Sequence, residues 1–203
     1  AVGYLRQLFE AHSIPYREIH AWRDPLFGGL HPEPILPHLR ELCLEVARTG
    51  FDAGLATDGD GDRVGAVDAS GNFVDPHKIF CLVLKHLLER GERDDIARTF
   101  SATKMVDRIA ERYGVRVHET PIGFKYICEL MLEQNVMIGG EESGGVGLRA
   151  HMPERGGILI SLLLAEIMAR AQKPLAELVA QLVADFGPHH FGRVDLELDP
   201  KQK

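Results

Sequence analysis

Ile96-Ala-Arg-Thr-Phe100, Met105-Val-Asp-Arg-Ile109-Ala-Glu-Arg-Tyr113-Gly114 and Val115-Arg-Val117 follow one another in a strand, helix, strand rhythm. Met105, Val106, Ile109, Ala110 and Tyr113 recur at helical spacing, and Gly114 stands where such a helix would stop. The rhythm then repeats, with a helical pattern over 124–132 leading to Val136-Met-Ile138. Short β-branched runs alternating with helix-length stretches predict parallel strands covered by crossover helices, an α/β architecture.

Working outward, an apolar helix over 79–88 precedes the rhythm. The glycine-rich segment 139–147 and two helices follow it. The last helix has Pro174 at its first turn and a stripe of Leu175, Leu178, Val179, Leu182, Val183 and Phe186, a core-facing pattern. Towards the N-terminus the sequence predicts a helix over 2–11, a strand over 16–19, a turn-rich loop over 24–37 and a helix over 39–48. Strands over 53–56 and 64–67 follow, and Ser70-Gly71 marks a turn. A boundary near residues 72–78 divides the chain into a unit over 1–73, a unit over 74–187 and a tail over 188–203. Phe191 to Leu198 alternates like a strand and is expected to lead towards a further domain. Ala1 stands where an initiator Met would be, which is expected of a piece excised from a longer protein.

The composition bounds the function. The chain has 203 residues, 45% hydrophobic and 26% charged, which fits one large or two small globular domains rather than a disordered chain. With a net charge of −7 and no basic run, nothing offers nucleic acid a phosphate-tracking surface. Cys43, Cys81 and Cys128 lie far apart, without ligand spacing, and are expected to be buried free thiols in a reducing cytoplasm. The most apolar run, 158–165, is far too short to span a membrane, and no secretory leader is visible.

Asp58-Gly-Asp-Gly-Asp-Arg63 is the most informative motif. Alternate positions in an extended loop turn Asp58, Asp60 and Asp62 to one side, where their charges repel unless a cation joins them. Three carboxylates suit Mg²⁺ completed by water or phosphate better than Ca²⁺, which wants six to eight oxygens. An EF-hand would need Gly at the sixth loop position and Glu at the twelfth, where this sequence has Arg63 and Ala69. The guanidinium of Arg63 is suited to grip a phosphate beside the metal. A solvated acidic turn is the plain structural alternative.

Gly139-Gly-Glu-Glu-Ser-Gly-Gly145 is the second motif. Its glycines allow close approach of a ligand, and Glu141 and Ser143 can hold hydroxyl groups. It lacks the endings of a P-loop and of a nucleophile elbow. The third is Thr120-Pro-Ile-Gly-Phe-Lys125, which leaves a strand and enters a helix, so that free N–H groups and Lys125 could attract an anion. Each of these two loops could equally be an ordinary connection.

In this order, and together with Asp24-Pro-Leu-Phe-Gly-Gly-Leu-His-Pro-Glu-Pro34, the three motifs resemble the α-D-phosphohexomutase family, the phosphoglucomutases and phosphomannomutases, over nearly the whole chain. The resemblance implies two successive three-layer α/β/α domains with mostly parallel mixed sheets. They correspond to most of the second of four domains, without its first strand, and to the third. It further implies a mutase that moves phosphate between the 1- and 6-positions of a hexose through a phosphoserine and a hexose 1,6-bisphosphate. Mg²⁺ would sit on Asp58, Asp60 and Asp62, and Arg63 would neutralise charge on the transferred group. Glu141, Ser143, Thr120 and Gly123 would lie along the sugar, with Lys125 and Arg155 among the substrate-binding residues. The partners implied are hexose phosphates and the remaining domains of a parent chain, which would carry the phosphoserine loop and a further phosphate clamp; neither motif occurs here, so the fragment alone is expected to be inactive. Where many relatives read Lys-Asp-Gly, this chain has Arg155-Gly156-Gly157, and Ser101 and Gly145 replace a basic residue and a histidine of some relatives. Two other classes fit the same residues: a noncatalytic metal or sugar-phosphate binding module, and a Mg²⁺ phosphatase with an aspartate nucleophile.

Overall fold

A computed structural model describes residues 3–190, 192 and 194. The start of the first expected helix at Val2 and most of the strand-like tail lie outside these residues.

The first unit contains helix α1 (Tyr4–Ala11), a 3₁₀ turn over Phe27–Gly29 and helix α2 (Arg40–Thr49). Strands β1 (Ala53–Thr57), β2 (Val64–Asp68) and β3 (Phe73–Val74) form an antiparallel sheet in that order. The antiparallel arrangement follows from the connection: only residues 58–63 separate β1 from β2, too few for a crossover helix. The strand expected over 16–19 is not formed. Residues there are held by side chains instead, Tyr16 Oη donating to Glu10 and the Glu18 carboxylate accepting from the Gly3 N–H.

Helix α3 (Pro76–Glu89) starts three residues before its expected position. The carboxylate of Asp75 accepts the Lys78 N–H at 3.1 Å, and Pro76 occupies the first turn, a cap and proline pair that together define the start. The five-stranded sheet that follows has the order β5 (Val117–Thr120), β4 (Asp95–Thr99), β6 (Val136–Gly140), β7 (Val146–Leu148) and β8 (Met152–Arg155). Its first three strands are parallel, joined by α4 (Met105–Tyr113) and α5 (Phe124–Glu133) as crossovers, and its last two are antiparallel. Strand β5 begins later than the expected 115–117, because the Val115 N–H closes the end of α4 by donating to the Ala110 carbonyl at 3.0 Å. Helices α6 (Gly157–Ala171) and α7 (Leu175–Phe186) complete the chain's described helices.

One hydrophobic cluster runs through both units, from Val64, Ala66 and Val74 to Phe80, Ile96, Ile109, Ile138, Ile160 and Leu182. Strand β2 is buried along its whole length, in contact with α2, α3 and α6. On its α2 side Gly65 admits the Pro34 carbonyl so closely that a Cβ would lie 2.1 Å from that oxygen. The sheet carrying the aspartate loop is thus packed directly against helices of the following unit. No described helix is long and apolar enough to cross a membrane.

All three cysteines are free thiols, and Cys81 is fully buried in α3, where loss of solvation pushes its thiol far above the ordinary range. Cys43 and Cys128, expected to be buried as well, are only half-buried. A thiol-alkylating reagent should therefore label Cys43 and Cys128 faster than Cys81 in the native protein, on the order of tenfold or more, as read by peptide mass spectrometry. Equal labelling would mean that α3 opens far more readily than its packing allows.

Candidate active site

The aspartate loop joins two antiparallel strands and is built around Asp58, which is 6% exposed. Its Oδ1 accepts the N–H groups of Gly61, Asp62 and Arg63 at 3.1, 3.0 and 3.1 Å, and its Oδ2 accepts Arg63 Nε at 2.5 Å. Burial alone would raise this carboxyl, but the Arg63 hydrogen bonds hold it below the usual carboxylate range. Arg63 Nη1 also lies 3.2 Å from Glu33, in the proline-rich loop, so the guanidinium is held between carboxylates of two loops. Phe27 and Pro32 of that loop pack over Gly59, where a Cβ would lie 3.0 Å from the ring.

Asp58, Asp60 and Asp62 bring one carboxylate oxygen each within 4.8 Å of one another. Asp60 is exposed and Asp62 is partly buried. Desolvation, the Asp58 hydrogen bond and the charges of Asp58 and Asp60 push the Asp62 carboxyl up to about 6, against the opposing pull of Arg155. Hard oxygen donors crowded until one carboxyl resists ionising are a donor set that fits a divalent cation.

The glycine-rich loop lies directly against this one. Val64 N–H donates to the Gly144 carbonyl at 3.2 Å, and Arg63 and Gly145 form an antiparallel bridge. Within the loop Glu141 N–H donates to the Gly145 carbonyl at 2.9 Å, closing a tight turn. Glu141 is 6% exposed, and its Oε1 accepts the Gly123 N–H at 3.1 Å, from the residue that caps α5. Burial raises its carboxyl, opposed by that N–H and by Arg155. Ser143 is partly buried in the same turn. Thr120 is buried at the end of β5, with its hydroxyl directed to the carbonyls of Pro121 at 3.1 Å and Arg98 at 3.4 Å.

Arg155, at the end of β8, joins the two loops. Its Nη2 lies 2.6 Å from Asp62 Oδ2 and its Nη1 lies 3.7 Å from Glu141 Oε2. The structure thus brings Asp58, Asp60, Asp62, Arg63, Gly123, Glu141 and Arg155 into one constellation. Lys125 stands apart: it is exposed, with its ammonium 4.8 Å from the Tyr126 ring centroid, and among the described residues it makes no ion pair with the group. Sequence reasoning did not single out Glu33 or Gly157. Glu33 sits within the quoted proline-rich stretch, and its acidity opposite Arg63 was the available signal. Gly157 has no local signal, because its role depends on a contact made 94 to 96 residues away in sequence, with Gly61 and Arg63.

At Gly157, a Cβ would stand 2.4 Å from the Arg63 carbonyl oxygen and 2.8 Å from that of Gly61. Gly157→Ala should cost about 1–3 kcal/mol of stability, because neither backbone oxygen can yield without moving the aspartate loop. An unchanged urea midpoint would show slack in this seam.

Residues 75–186 match alpha/beta/alpha domain III of phosphoglucomutase/phosphomannomutase, and residues 1–71 match alpha/beta/alpha domain II. The chain belongs to the phosphoglucomutase/phosphomannomutase family. This is an isomerase family by the names of its members, and the two matched domains agree with the α/β fold described above. Phosphoglucomutase 1 of Drosophila melanogaster is 30% identical over 202 residues, covering 96% of this chain and 36% of that protein. The crystal structure of a Thermus thermophilus protein assigned as a phosphomannomutase superposes with a TM-score of 0.87 at 40% identity, covering 92% of this chain and 43% of that one. The open form of the Paramecium phosphoglucomutase parafusin gives a TM-score of 0.79 at 25% identity, covering 93% of this chain and 36% of that one. The chain spans about a third of the length of the curated relatives it matches.

Proposed function

We propose that this chain is the metal-binding and sugar-binding part of a Mg²⁺-dependent phosphohexomutase, which interconverts hexose 1-phosphate and hexose 6-phosphate through a phosphoserine and a hexose 1,6-bisphosphate. The observation that carries the reading is the direct junction of the aspartate loop with the Gly139–Gly145 loop through Val64, Gly144 and Arg155. Metal and sugar sites joined in this way face one substrate, as transfer between two ends of one sugar requires. In this reading residues 1–73 and 74–187 act as two domains and 188–203 lead onward, with the serine and a further phosphate clamp supplied by the rest of a cytoplasmic parent protein. This chain alone does not turn over.

Asp58, Asp60 and Asp62 would hold Mg²⁺, which when bound supplies charge neutralisation at the transferred phosphoryl group. Arg63 holds Asp58 ionised and adds its own positive charge beside that group. Glu141 accepts a sugar hydroxyl, with Ser143, Gly123 and Thr120 alongside and Lys125 and Arg155 contributing positive charge to the phosphate ends. Because these groups do not depend on which end of the sugar arrives, they can hold it in either orientation. An assay of the parent protein tests this: Asp58→Asn should abolish conversion of glucose 1-phosphate to glucose 6-phosphate. A parent protein that binds the sugar phosphate yet never converts it would favour the noncatalytic binding module instead.

A further inference from the structure

Among the three loop carboxylates, Asp62 is the one with a cationic partner from outside its own loop. Asp58 is satisfied by loop N–H groups and Arg63, and Asp60 is exposed. The Arg155 guanidinium reaches Asp62 with Nη2, lies within 3.7 Å of Glu141 with Nη1, and has its buried Nε without a hydrogen-bond partner, 3.6 Å from Glu154 Oε1. Its stem is fixed: a Cβ on Gly145 would fall 2.4 Å from Arg155 Cδ, and the guanidinium carbon sits 5.8 Å from the Phe124 ring centroid. The side chain is therefore confined between an acid of the metal loop and an acid of the sugar loop, with one unsatisfied donor.

A divalent cation on Asp62 and a guanidinium 2.6 Å from Asp62 Oδ2 would draw on the charge of one carboxylate and repel each other. Glu141 is the buried acid already nearest to the other nitrogen. We propose that Arg155 is a metal-responsive positioning residue, which leaves Asp62 when that carboxylate takes a divalent cation and closes onto Glu141. Metal loading of one loop would thereby set the charge and rigidity of the loop that reads the sugar. The inference rests on the reading of Asp58, Asp60 and Asp62 as a metal site.

The test is an NMR titration of the chain with MgCl₂ alone, at ionic strength held constant with KCl. The Arg155 Nε–Hε signal is assigned by its loss in Arg155→Lys. It should shift with the same midpoint as the amides of Gly59 and Gly61, and Glu141→Gln should change the endpoint it reaches. Arg155→Met, which removes the competitor, should tighten Mg²⁺ binding about 2- to 5-fold, the scale of a partly exposed ion pair. Amides of Gly59 and Gly61 that titrate while the Arg155 signal stays still, or an endpoint identical in Glu141→Gln, would overturn the hand-over and leave the metal site standing. Silence of all these signals would remove the metal reading and the hand-over together.

Discussion

Asp60→Asn is expected to weaken Mg²⁺ binding on the order of 100-fold while leaving the fold intact. Three oxygens within 4.8 Å give a divalent ion its attraction, and the substitution removes one full negative charge from that set without changing its shape. Asp60 is exposed and lies outside the hydrogen-bond framework of the loop, which Asp58 carries. Stability should therefore stay within about 0.5 kcal/mol of the parent chain. Asp58→Asn offers the contrast, since it weakens the Arg63 pair as well and should lose stability together with metal. Calorimetric titration with MgCl₂ alongside urea unfolding separates the two. An unchanged dissociation constant in Asp60→Asn would contradict the metal assignment, and its unfolding would show a structural role in place of a binding one.

Phe80→Ala should cost about 3–5 kcal/mol, the range for removing a fully buried aromatic ring from a core that cannot collapse around the space. Phe80 is 1% exposed on α3, and its ring lies against the backbone of Gly140, where a Cβ would stand 2.7 Å away. Few apolar groups can fill that position, because β6 approaches the helix through a glycine. Gly140 immediately precedes Glu141, so the loss should also loosen the Gly139–Gly145 loop. Urea denaturation measures the first effect and hydrogen exchange at residues 140–145 the second. A loss below about 1 kcal/mol, against the range expected for a buried ring, would mean that the joint core of the two units is much more adaptable than its packing suggests.

The parts of this fold that were legible in the sequence are those where one physical signal acts alone. The Met105 to Tyr113 stripe and the Val136 run announce a helix and a buried strand because burial imposes their period. The aspartate loop stood out for a different reason: three acids at alternate positions between two strand signals mark a loop whose carboxylates converge, as those of Asp58, Asp60 and Asp62 do. Strand β8 escaped notice because it is a four-residue edge strand containing Pro153, half exposed, with no apolar alternation. The start of α3 was legible in principle through Asp75 and Pro76, yet the apolar run beginning at Ile79 gives a stronger signal and masks it. The expected strand over 16–19 has suitable residues but no neighbouring strand among those described, and propensity without a ladder does not make a sheet. The role of Arg155 could not be read locally at all, since its partners lie 93 and 14 residues away and are brought together only by the packing of β8 beside both loops.

The aspartate loop and the Gly139–Gly145 loop, on this account, form one site for one phosphosugar. The most direct measurement is an NMR titration of the chain with glucose 1,6-bisphosphate in the presence of Mg²⁺, following the amides of Gly59, Gly61, Gly140 and Gly144. Signals from both loops should move together with a single midpoint. Movement confined to one loop, or separate midpoints for the two, would contradict a shared site.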